Sequence, residues 1–116
     1  MIFAQVRTIP AGTRIDPDYR IKGAGESRGE EALVYLVPNR SGGNPTEKRI
    51  RKSEWEAAYK HLLNGGHITR GWFEQNLTDA YKDGSCSFRV TGEVLVMLGV
   101  AIRIDEAAGS KYIPAN

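Results

Sequence analysis

The chain is short of cysteine and of long apolar runs. One cysteine, Cys86, among 116 residues excludes an intrachain disulfide framework and fits a reducing compartment. The longest uninterrupted apolar runs span about six residues, far below the roughly 20 that cross a bilayer, so no membrane partner is expected. The start, "MIFAQVRTIPAG", carries neither a basic n-region nor a long h-region. No secretory signal is therefore expected, and the reading is of a cytoplasmic protein. Repeats of solenoid-like period and low-complexity tracts are also missing. A net charge of +2 is too small to announce a nucleic-acid binder from bulk charge alone. With 41% apolar and 26% charged residues, disorder is excluded and one domain over residues 1–116 is expected.

What charge there is sits unevenly. Residues 40–52, "RSGGNPTEKRIRK", carry Arg40, Lys48, Arg49, Arg51 and Lys52 against Glu47 alone, a net of +4, so the remainder sums to −2. A local positive cluster in a nearly neutral chain is the arrangement a small anionic contact requires.

The first 38 residues read as β-rich. "IFAQVRTI" alternates Ile2, Ala4 and Val6 with Phe3, Gln5 and Arg7, which predicts a strand. "YRIK" (19–22) predicts a short edge strand, and "ALVYLV" (32–37), apolar on both faces, a central one. Pro38 ends it, and residues 39–52 read as a basic, glycine-rich loop.

The remainder reads as helical. Ser53 and Glu56 have capping-box spacing, and Trp55, Ala58, Tyr59, Leu62 and Leu63 recur at helical steps before "NGG" (64–66) stops the helix. A second helix is predicted after Thr69, with Trp72, Phe73, Leu77, Ala80 and Tyr81 inward, ending at Asp83-Gly84. "CSFRV" (86–90) predicts a short strand, Thr91 caps a third helix to Leu98, and Gly99 ends it. A hairpin closes the chain, with Val100, Ile102 and Ile104 on its buried face and "KYIP" returning.

Three helices followed by a two-stranded wing, over residues 53–116, resembles the winged helix-turn-helix superfamily in element order. The fold class is then α+β: N-terminal antiparallel strands, a three-helix winged-helix-like region and a terminal hairpin. The resemblance implies a DNA-associated module, such as a small regulator of a mobile or phage-like gene. It would place the reading helix at "TGEVLVMLGV" (91–100), which offers no polar outer face apart from Glu93. That composition points instead to core or to a subunit contact through Val94, Leu95, Met97, Leu98 and Ile102.

Candidate phosphate contacts are Lys48, Arg49, Arg51 and Lys52, joined by Arg70 and Arg89; a solvated loop and a plain solvent face are the competing readings. Arg103 and Lys111 lie on the wing, but Asp105 and Glu106 near its tip are the wrong charge for a DNA groove. The glycines of "GAGESRG" (23–29) precede a strand, where a dinucleotide loop needs a helix, so they read as a flexible connection. His61, His67 and Cys86 match no structural zinc spacing, and Cys86 lacks a visible base. No catalytic residue, metal or cofactor is expected. The chain reads as a small non-enzymatic binding module for duplex DNA through its basic loop, or as a homodimeric interaction module with no nucleic-acid role.

Overall fold

In the computed structural model, which describes residues 1–115, the elements run α1 (Ile2–Val6), β1 (Arg14–Ile15), β2 (Tyr19–Ser27), β3 (Glu30–Val37), β4 (Thr46–Arg51), α2 (Lys52–Leu63), α3 (Arg70–Asn76), α4 (Thr78–Asp83), α5 (Ser87–Met97), β5 (Ala101–Glu106) and β6 (Gly109–Pro114). The fold is mixed α+β. A four-stranded antiparallel sheet in the order β1-β2-β3-β4 comes first, then the helices, then the β5–β6 hairpin. None of the helices among the described residues is long and apolar enough to cross a membrane.

The sheet follows from "ALVYLV". Ala32, Leu33, Val34 and Tyr35 are all buried, as a central strand requires, and β3 lies between β2 and β4. Residues 23–27, expected as a flexible connection, extend β2, with a bulge between Ile21 and Gly23. Ser27 pairs with Glu30, leaving Arg28 and Gly29 as a two-residue loop, both at positive φ (52° and 81°). That is what a twist-matched type I′ turn demands.

Two predicted strands are helices instead. Ile2, Phe3 and Val6 are buried while Ala4 and Gln5 are exposed, which is one helical face rather than an alternating strand. The Phe3 N–H at the start of α1 donates to the Glu56 carboxylate at 2.9 Å, so a distant side chain caps this short helix. "CSFRV" is not a strand either; from Ser87 it forms one helix with the run behind it. Thr91, expected as a cap, is buried mid-helix, and Phe88, Val90, Thr91, Val94 and Leu95 share the inward face. Five alternating residues fit both periods, and the following seven decide for the helix.

The helix ends behave as the glycines suggest. Gly65 (φ 80°) donates to the Leu62 carbonyl and Gly66 to that of His61, the paired bonds of a Schellman stop. Gly99 (φ 80°) and Val100 repeat it on Val96 and Leu95. The predicted second helix does start at Thr69, whose hydroxyl accepts from the Trp72 N–H at 3.0 Å. It breaks at Leu77 (φ −119°, ψ 51°), where the Thr78 hydroxyl takes the Glu74 carbonyl.

The hairpin is present, but its inward face is the opposite of the predicted one. Ala101 and Tyr112 are buried, and Ile102 is 44% exposed. Tyr112 sets this choice. Its ring lies against Gly92 of α5, so close that a Cβ there would sit 2.0 Å from the ring. Its hydroxyl donates to Glu93 at 2.8 Å, and Arg103, its cross-strand partner, reaches the same carboxylate at 3.3 Å. Burial, then the bond to Glu93, holds the Tyr112 phenol above its ordinary range, so it stays a donor. Ile68 pairs through its backbone with Tyr112, which ties the start of α3 to the same strand.

Gly92→Ala is expected to destabilise the fold by about 3 kcal/mol or more, because neither backbone nor ring can withdraw. Urea denaturation measures it; a loss below about 1 kcal/mol would mean that the hairpin is not docked through Tyr112.

Candidate functional site

The basic segment is not a free loop. Thr46–Arg51 is an edge strand, and its cations are engaged within the molecule. Lys48 Nζ donates to the Asp83 carbonyl at 2.5 Å. Arg49 Nη2 lies 3.1 Å from Glu47 Oε1, and the Arg49 N–H faces the Asp83 carboxylate at 3.4 Å. Arg51 is surrounded by three carboxylates: Asp79 at 2.9 Å, Glu54 at 3.3 Å and Glu30 at 3.5 Å. Of the four residues proposed here for phosphate, only Lys52, the first residue of α2, forms no ion pair among the described residues.

Arg51 is fixed in this cluster by Glu54, which is 5% exposed. Its carboxylate accepts the Arg51 N–H at 2.8 Å and the Ala80 N–H at 3.2 Å, so it caps α2 and joins α4 to the sheet. The helix thus starts two residues earlier than the Ser53/Glu56 spacing predicted, with Arg51 as N-cap. Ser53 instead donates its N–H (2.8 Å) and hydroxyl (2.9 Å) to Glu30. Those two bonds, with Arg51 nearby, hold the Glu30 carboxyl below its usual value against a smaller opposing effect of burial.

Arg70 and Arg89 are placed differently. Arg70 opens α3, Arg89 lies in the first turn of α5, and neither helix has an acidic residue in that turn. By contrast α2 and α4 carry Glu54 and Asp79 there. A cation in a first turn opposes the helix dipole, so both positions are electrostatically costly. Neither arginine forms an ion pair among the described residues. The Arg70 guanidinium lies 4.9 Å over the Phe88 ring, within cation–π range. Arg89 Nε is shielded from solvent and has no hydrogen-bond partner among the described residues, while its side chain abuts the Tyr112 phenol.

Both arginines line one cleft of about 590 Å³, together with Lys111 and Tyr19. Its walls are the starts of α3 and α5, the β5–β6 turn and the Pro17–Tyr19 segment. Lys111 is held by Glu106 at 3.3 Å, and that pair is the only carboxylate contribution to the cleft among the described residues. Burial, chiefly, keeps the Tyr19 phenol protonated above its ordinary range, with Arg89 and Arg40 opposing. Cys86 also borders the cleft, with Sγ 3.4 Å from the Tyr35 hydroxyl. A concave site with two unneutralised guanidiniums, a third cation and phenol and hydroxyl donors suits a phosphate-bearing ligand.

The other predicted positions scatter. Arg103 is taken by Glu93 and Asp105. His61 stacks on Trp72 at 4.1 Å, and its Nε2 bonds the His67 carbonyl, so it locks α2 to α3. Of the residues expected at a subunit contact, Val94 and Leu95 are fully buried in this chain and cannot form one. Met97 (47%) and Ile102 (44%) are exposed, and Leu98 is half-buried.

Sequence reasoning named Arg70 and Arg89 but not the cleft, and it set Lys111 aside with the acidic wing tip. The available signal was an arginine in each first turn with no acid beside it. No family model, characterised protein or solved structure matches the chain.

Glu54→Ala is expected to cost about 2 kcal/mol, since it leaves the Arg51 and Ala80 backbone donors without their acceptor. The Glu30 contribution has a defined pH sense. It is present above the ordinary carboxylate value of 4.5 and lost as pH falls through the lowered folded value. Stability measured by urea titration across this range should fall on the acid side, and less so in Glu30→Gln. An identical acid limb in that variant would contradict the assignment.

Proposed function

We propose that this chain is a non-enzymatic nucleic-acid-binding module whose phosphate contacts come from the cleft between α3, α5 and the hairpin. One observation carries the reading: Arg70 and Arg89, from different helices, converge on that cleft without carboxylate partners, while Lys48, Arg49 and Arg51 are consumed internally. The order of helices and hairpin, which resembles the winged helix-turn-helix superfamily, adds support. In that comparison α5 would contribute its first turn, through Arg89, rather than its apolar second half. The basic strand is a bracing element and leaves Lys52 as a peripheral contact.

Binding to nucleic acid at low salt is expected in a mobility-shift assay with micromolar protein. Arg70→Ala and Arg89→Ala should each weaken it and lower the slope of log K against log salt by about one. Lys48→Ala and Arg49→Ala should leave affinity nearly unchanged once folding is verified. Loss confined to the Lys48 and Arg49 variants would return the site to the strand, and no shift with any nucleic acid would end the reading.

A second reading, self-association, is favoured by an apolar groove of about 280 Å³ formed by Tyr59, Leu62, Leu63, Val100 and Pro114. Leu63 at its rim is 66% exposed. A dimer through this end is expected to dissociate on Leu63→Glu in light scattering; a monomer at high concentration of the unmodified chain counts against it.

A further inference from the structure

Resting on the nucleic-acid reading, we infer that the cleft takes an unpaired nucleotide, so that the preferred partner is single-stranded nucleic acid rather than a duplex. A duplex backbone presents a convex ridge of phosphates, and it is held by cations spread over a surface. Here the cations instead line a concavity of about 590 Å³. That size falls within the range of pockets that enclose a small ligand, and it exceeds what one phosphodiester fills.

The interior also offers more than charge. Phe88 is only 2% exposed within the core, and the exposed Arg70 guanidinium lies over its ring at 4.9 Å. Phe88 is itself fixed edge-on by Tyr112 and Phe73, with ring centroids 5.5 and 5.9 Å away. A guanidinium seated over an aromatic ring on one side leaves the rest of its planar group open to the cleft. Unstacked bases settle on such planes, a contact that duplex bases cannot make without leaving the stack. Arg89 and Lys111 then supply charge for the phosphate of the same nucleotide, and Ser85 and Tyr19 supply hydroxyl groups at the walls. The platform depends on the planarity of Arg70, whereas the phosphate contact depends only on charge.

This difference gives the test. Fluorescence anisotropy would compare a labelled oligothymidylate with a blunt duplex of equal length, using the full chain. The single strand is expected to bind about tenfold tighter or better. Arg70→Lys keeps the charge and removes the plane, so it should abolish this preference while duplex affinity and its salt slope persist. Lys111→Ala should weaken both probes alike. Thermal melts check that each variant is folded. Equal binding of the two probes by the unmodified chain overturns the inference and leaves the nucleic-acid reading standing. So does a single-strand preference that survives in Arg70→Lys. Absence of binding to either probe removes both.

Discussion

The buried Glu54 carboxylate is the constraint around which the charges of this molecule are arranged. It caps α2 through the Arg51 N–H, meets the Arg51 side chain and holds the Ala80 N–H of α4. A carboxylate withdrawn from water this far needs a cation and several donors. Arg51 is thereby fixed, and the carboxylates of Glu30 and Asp79 gather on it. Lys48 is held in turn by Asp83 of α4, through its backbone carbonyl and, at 3.9 Å, its carboxylate. The segment with the highest local charge in the sequence is therefore nearly neutral in the folded chain.

Neutralising that strand moves the electrostatic centre elsewhere. Arg70 and Arg89 are the cations that the fold leaves without acids at helix starts, and both open on one cleft. Two structural contacts create the cleft. Tyr112 seats the hairpin on Gly92, and the Ile68–Tyr112 pairing draws the start of α3 against the hairpin. Tyr112 thus does for the cleft what Glu54 does for the sheet: one buried side chain fixes the relative placement of three segments far apart in sequence.

Local signals in the sequence were legible where a single element decides them. The central strand at 32–37, the α2 stripe as far as Leu62 (Leu63 is exposed), the Thr69 cap and the two glycine stops all follow from residue type and spacing. The failures share a cause. "IFAQVRTI" and "CSFRV" are short runs compatible with both periods, and what lies outside each run decides: the distant Glu56 for the first and the helix that continues from it for the second. The hairpin face was inverted because the alternation of Val100, Ile102 and Ile104 says nothing of the ring-sized space at Gly92. For the site, charge density along the chain pointed to residues 48–52, but whether a cation is free depends on carboxylates about 30 positions away, at Asp79 and Asp83. Arg70 and Arg89 could be named as cations; their convergence could not.

The most direct measurement of where this protein meets an anion is a backbone amide NMR titration of the full chain with oligothymidylate. The account predicts that perturbed amides cluster at residues 69–71, 85–89 and 109–111, with residues 46–51 unmoved. Perturbation centred on residues 46–51, with the cleft silent, would contradict it.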